Sequence, residues 1–246
     1  LADTPGLVPG PRLWLVRVPG SDVGRHAVLM LDPAERDRAR SFRDRADQQR
    51  FLVAHLCLRL ILARHLDVRP EAVAFSRDRC PRCGQAHGRP VLAGPGQHVQ
   101  FSMSHSGDWV LIGTGPWRLG VDIQEVPGLA TVRDVLPLLH PGEQAEITAR
   151  AGSGRARAFA RVWARKEAYL KALGVGLAAD LAQVYAGADG RAPGPAGWTI
   201  LDVPVDMAYA AGLAVPGTVR RAELVTCQLP GRGVPALEVT ARRRIA

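Results

Sequence analysis

One unbroken run, Phe159-Ala-Arg-Val-Trp-Ala-Arg-Lys-Glu-Ala-Tyr-Leu-Lys-Ala-Leu-Gly174, constrains the fold more than any other part of this chain. Phe159, Val162, Leu170 and Leu173 form an apolar stripe of helical period, and Gly174 is a good helix stop. A long helix is therefore predicted from about Arg155 to Leu173. Upstream, Leu119, Val121 and Ile123 alternate with Gly120, Asp122 and Gln124, the period-two signature of a strand. That strand puts Asp122 and Gln124 on one face and Glu125 on the other. The helix puts Trp163, Glu167 and Lys171 along one ridge.

The rest of the chain mixes strands and helices. An early strand holds Leu13, Leu15 and Val18, and the charged stretch 33–45 reads as a helix. Asp47 is expected to cap a second helix running to about Leu66, with Phe51, Leu52, Leu56, Leu60 and Leu66 on its buried face. Residues 76–98 and 187–197 read as loops. Strands are predicted at Val99–Met103, Trp109–Gly113, Trp198–Val203, Met207–Ala214, Ala222–Leu229 and Ala236–Arg242, and helices at Thr131–Leu139 and Pro141–Ala149. This mixture predicts an α+β fold. A boundary near Arg118 divides it into an N-terminal half, 1–118, and a C-terminal half, 119–246.

The bulk properties fit a globular enzyme or binding protein. The chain has 246 residues, enough for a sizeable core, and 47% hydrophobic content. There is no apolar run of transmembrane length and no secretory pattern at Leu1–Gly10, so a cytoplasmic protein without a membrane partner is expected. The net charge of +9, mostly arginine, suits anionic partners such as a phosphorylated cofactor, an acidic protein or nucleic acid. Four cysteines in such a chain do not imply disulfides, and Cys57 falls in the core pattern of its helix.

Read alone, the strand at 119–124 is an exposed edge strand, and Glu167 and Lys171 are a surface ion pair. Read together, they make a diphosphate site. Magnesium takes oxygen ligands, commonly one or two carboxylates completed by substrate phosphates and water. Asp122 and Glu167 offer the carboxylates, while Lys166 and Lys171 offer point charges to phosphate oxygens.

Gly120-Val-Asp-Ile123 and Trp163-Ala-Arg-Lys-Glu-Ala-Tyr-Leu-Lys171 resemble the two signatures of the Sfp-type 4'-phosphopantetheinyl transferases. Phe101-Ser-Met-Ser-His-Ser-Gly-Asp-Trp-Val110 resembles that family's Ser-His segment, Gly88-Arg-Pro90 its Gly-Lys-Pro turn, and the Arg-rich helix ending near Arg50 its basic N-terminal segment. The resemblance implies two similar α+β halves in a pseudo-twofold arrangement, a monomer, and coenzyme A in the cleft between the halves. It implies transfer of the phosphopantetheine arm to a serine of an acidic acyl or peptidyl carrier protein, in fatty acid, polyketide or nonribosomal peptide synthesis. Asp122 and Glu167 would bind magnesium, or manganese. Glu167 would take the serine proton, and Lys171 would stabilise the diphosphate. Ser104, His105, Arg50, Arg89 and Arg38 would contact the phosphates of coenzyme A, with His105 near the 3'-phosphate.

One departure stands out. The family often has a second acid two residues after the Asp; here that place is Gln124. Either Gln124 or a water completes the metal shell, or a bulge brings Glu125 inward, or turnover is impaired and the chain is a coenzyme A-binding relative. The segment Val175–Leu181 is expected either to dock the carrier or to be buried, and Arg161 and Arg165 to attract the carrier. In the loop Cys80-Pro-Arg-Cys83-Gly-Gln-Ala-His87, with His98 further on, only half of a zinc pattern is present, so free thiols in a tight turn are expected rather than zinc. A nucleic-acid-binding module is the rival from another class; it lacks interleaved aromatics and a second zinc half-site, so no nucleic-acid partner is expected.

Overall fold

The computed structural model describes residues 10–245 apart from 21, 82, 177–179, 190–193, 220 and 231–235. In the first part of the chain, β1 (Arg12–Arg17) is followed by α1 (Gly24–Met30), α2 (Pro33–Arg40) and α3 (Arg45–Leu66). Strands β2 (Phe75–Arg77), β3 (Pro90–Leu92), β4 (Gln100–Ser106) and β5 (Trp109–Gly115) come next. The second part holds β6 (Gly120–Glu125), α4 (Leu129–Val135), α5 (Pro141–Thr148), α6 (Gly152–Leu173) and β7 (Trp198–Asp202). It closes with β8 (Tyr209–Pro216), β9 (Ala222–Gln228) and β10 (Glu238–Ile245).

The fold is α+β, as the mixed pattern predicts. A five-stranded sheet runs β10-β9-β1-β5-β4 and a three-stranded sheet runs β6-β8-β7. The layers stack as helix, sheet, sheet, helix. Period-two alternation explains the stacking. Trp14, Val16, Val110 and Ile112 face α3, while Leu13, Leu15 and Leu111 face Val121, Ile123 and Leu213 of the second sheet. Each sheet thus carries one helix of 22 residues, α3 on the first and α6 on the second.

The expected boundary near Arg118 falls between β5 and β6. The last two strands, which the linear reading put with the C-terminal half, lie in the first sheet: β9 runs parallel to β1, with Leu13 opposite Leu224. Local differences have local causes. Asp44, not Asp47, caps α3, accepting from the Asp47 N–H at 2.9 Å. The helix expected over 33–45 therefore ends at Arg40. The loop expected at 76–98 contains the short hairpin β2–β3. The helix expected at Thr131–Leu139 ends at Val135 and continues as one 3-10 turn, Leu136–Leu138.

Helix α6 lies unusually close to its sheet. Ala160, Ala164, Ala168 and Ala172, four apart, form a buried ridge. Opposite them are glycines: a Cβ on Gly120 would stand 1.9 Å from the Ala168 carbonyl oxygen, and one on Gly212 3.0 Å from that of Ala164. Small residues on both sides let backbone approach backbone, which sets the site beside β6.

Candidate active site

Asp122 lies on the face of β6 turned toward α6 and is only 1% exposed. A buried carboxylate needs partners, and three elements supply them. Lys171 Nζ of α6 lies 2.5 Å from Asp122 Oδ1. Ser104 of β4 donates to the same oxygen at 2.7 Å, and Gln124 Nε2 donates to Oδ2 at 2.9 Å. Ser102 and Ser106, on the same face of β4 as Ser104, accept from the Val121 and Glu125 N–H groups at 3.0 Å each. Alternate serines of one sheet thereby stitch it to the edge of the other.

Glu167, one turn before Lys171, completes the group. Its Oε1 is buried without a hydrogen-bond partner. Burial, then the charge of Asp122, raises its pKa, and Lys171 opposes them. An orphaned buried carboxylate oxygen beside a second carboxylate is a donor set that fits a hard divalent cation. Glu125 is not part of it. The pairing of β6 with β8 is regular through Glu125 opposite Tyr209, without a bulge, and Glu125 lies by the Gly107 turn.

A cleft of about 1030 Å³ opens beside this group, lined among others by His55, Phe101, Ser102, Arg89 and Lys171. Arg89 is held in its wall by Asp78 at 3.1 Å and by Gln100. His105 points to the α3 side of β4. Surrounding protein and the charges of Lys171, Arg50 and His55 lower its pKa, against an opposing pull from Asp47. Arg50 pairs with Asp47 and lines, with Arg17 and Arg45, a second cavity of about 860 Å³.

Besides Arg50, three expected residues lie outside the cleft. Lys166 does not face the cleft: its Nζ is fully buried, 2.8 Å from Glu143, and donates to the carbonyls of Leu181 and Val184. Arg165 is not a surface charge for a partner, being buried with Asp202 at 3.0 Å and the Ala186 carbonyl at 2.8 Å. Arg38 stacks over Phe42 and does not line the cleft. Of the segment 175–181, Val175 lines the cleft, whereas Leu177 lies outside the described residues. His55 and Ser102 were missed from the sequence. Ser102 was legible as the period-two neighbour of Ser104; His55 had no signal beyond its place on a buried helix.

The same chain segments match known proteins. A family model described as the 4'-phosphopantetheinyl transferase superfamily covers residues 118–193, and one described as 4'-phosphopantetheinyl transferase, N-terminal, covers residues 19–116. A Synechocystis protein bearing the 4'-phosphopantetheinyl transferase name is 30% identical over 181 residues, 72% of this chain and 70% of the relative. A phosphopantetheinyl transferase of Thraustochytrium is 31% identical over 182 residues, 67% of this chain and 61% of the relative. The 4'-phosphopantetheinyl transferase Sfp of Bacillus subtilis is 24% identical over 170 residues, 69% of this chain and 71% of the relative. The chain belongs to the 4'-phosphopantetheinyl transferase superfamily and is a transferase. Among the described residues, no helix is long and apolar enough to cross a membrane.

Proposed function

We propose that this chain moves the 4'-phosphopantetheine arm of coenzyme A onto a serine of an apo acyl or peptidyl carrier protein, leaving 3',5'-adenosine diphosphate. The serine oxygen bonds to the phosphorus bearing the pantetheine arm. The P–O bond to the adenosine diphosphate breaks, and its electron pair leaves with that product. The serine proton passes to Glu167, directly or through water. Asp122 and Glu167 would hold magnesium, or manganese, with the Gln124 carbonyl or a water beside them. A bound divalent ion neutralises charge on the diphosphate. Lys171 stabilises the charge that builds on the leaving group. His105, Arg50 and Arg89 contact the remaining phosphates, His105 the 3'-phosphate, whereas Ser104, expected there too, has its hydroxyl proton on Asp122 and holds that carboxylate instead. The protein works as a cytoplasmic monomer.

The observation that carries this reading is the unpartnered Glu167 oxygen beside buried Asp122. Intact mass spectrometry of an apo carrier incubated with the protein, coenzyme A and magnesium tests it. A gain of one phosphopantetheinyl arm is expected, with the rate reduced about 10²–10⁴-fold in Glu167→Gln. In the same assay Gln124→Ala should raise the magnesium requirement about tenfold. Coenzyme A-dependent thermal stabilisation without any mass gain, across carriers of several types, would instead support a relative disabled at Gln124.

A further inference from the structure

We propose that Cys80, Cys83 and His87 form a zinc site in the wall of the cleft, a site independent of the transferase reading. One ligand atom from each of the three lies within 4.8 Å of the other two. Zn–S bonds of about 2.3 Å and Zn–N bonds of about 2.0 Å place tetrahedral ligands roughly 3.5–3.8 Å apart. Small side-chain adjustments are enough to reach that spacing; the Cys83 Sγ and His87 Nε2 atoms already stand 2.9 Å from one another.

The backbone is shaped for this. The Gly84 N–H donates to the Cys80 carbonyl at 2.8 Å, and the Cys80 N–H donates to Gln85 at 2.7 Å. Gly84 has φ +72°, a left-handed conformation that suits glycine directly after the second cysteine. This turn curls the chain so that both thiols converge. The cysteines outside the loop, Cys57 and Cys227, are buried in the core and their thiols are pushed up by burial.

The hairpin bonds hold the base of the loop, but its tip has little apolar packing. Between Val73 and Leu92, Cys80 and Gly88 are the only buried positions among the described residues. Yet this loop runs directly into Arg89, which must be held against the cleft. A segment with so little apolar burial gains order from a metal clip. His98, the fourth ligand that the sequence offered, is not in the cluster. With Cys83 and His87 exposed, three protein ligands leave the fourth position to water, the open coordination of catalytic zinc rather than the closed four-ligand shell of structural sites.

The test is elemental analysis of full-length protein purified without chelator, joined with cobalt substitution. One zinc per chain is expected in the wild type and in His98→Ala, and a loss of most of it in Cys83→Ser and His87→Ala. Cobalt added to the chelator-stripped wild type should give thiolate charge-transfer absorption and the strong visible bands of four-coordinate cobalt. Should a variant fail to fold, the wild-type zinc content and cobalt spectrum still decide. Wild-type protein without zinc, showing no cobalt spectrum and four thiols whose reactivity zinc does not alter, would overturn the site. Neither result depends on whether a carrier is modified.

Discussion

Lys166 and Lys171 share one helix and have opposite work. Lys166 is sealed against Glu143, which also accepts from the Ala186 N–H at 2.7 Å, so the pair pins the chain after α6 to α5. Removing one partner of a buried pair costs about 3–5 kcal/mol. Lys166→Met should therefore lower Tm by at least about 6 °C in a thermal melt. Lys171 is partly open to the cleft but is the cation of buried Asp122, so Lys171→Met should also lower Tm, though by less than Lys166→Met because Ser104 and Gln124 still bond that carboxylate, while cutting transfer about 10²–10³-fold. Helical phase separates Lys166 from Glu167, since adjacent residues do not face each other; the sequence held that information, but proximity to Glu167 in the signature outweighed it. Asp122, Glu167 and Lys171 were legible because their spacings of two and four are the periods of strand and helix. A second buried network makes a pH prediction. Burial alone would raise the Glu35 pKa, but bonds from His55 and the Asp32 N–H, with the charge of Arg59, bring it below its ordinary value. A lowered folded pKa contributes stability above the unfolded value of 4.5 and loses it as the pH falls through the folded one. Melts from pH 6 downward should show this acid-side loss flattened in Glu35→Gln, which also costs roughly 3 kcal/mol at neutral pH by leaving Arg59 underpaired.

At the scale of elements, α6 on β6 is the contact that makes the site. Gly120→Ala puts a methyl group where the Ala168 carbonyl stands. Overpacking commonly costs about 1–3 kcal/mol, and here backbone must move. We expect a loss of about 3 kcal/mol or more by denaturant titration, together with lost transfer as Glu167 and Lys171 shift from Asp122. Wild-type stability in this variant would contradict the close approach. The helix itself was readable from Phe159, Val162 and Leu170, all buried. Its sheet-facing ridge was not. Alanine contributes little to an apolar pattern, and its role here, allowing closeness, is visible only against Gly120 and Gly212. For the same reason α1, short and without strong periodicity, went unseen.

For the whole molecule, the α+β class follows from local patterns, but the partner of each strand does not. Nothing in Ala222–Gln228 announces that it pairs with Arg12–Arg17, because that pairing spans nearly the full chain. Ending the chain before Ala222 would strip two strands from the first sheet and open the long apolar edge of β1. Such a truncation should lack a cooperative melt and elute as aggregate, even though every site residue is retained; a sharp melt would refute this. The same pairing has a consequence for biosynthesis. At about 5–20 residues per second, roughly 10–40 s separate the synthesis of β1 from that of β9. For that interval β1 has no partner on its β9 side, and the nascent chain depends on time and on shielding from its neighbours until the ribosome has delivered β9.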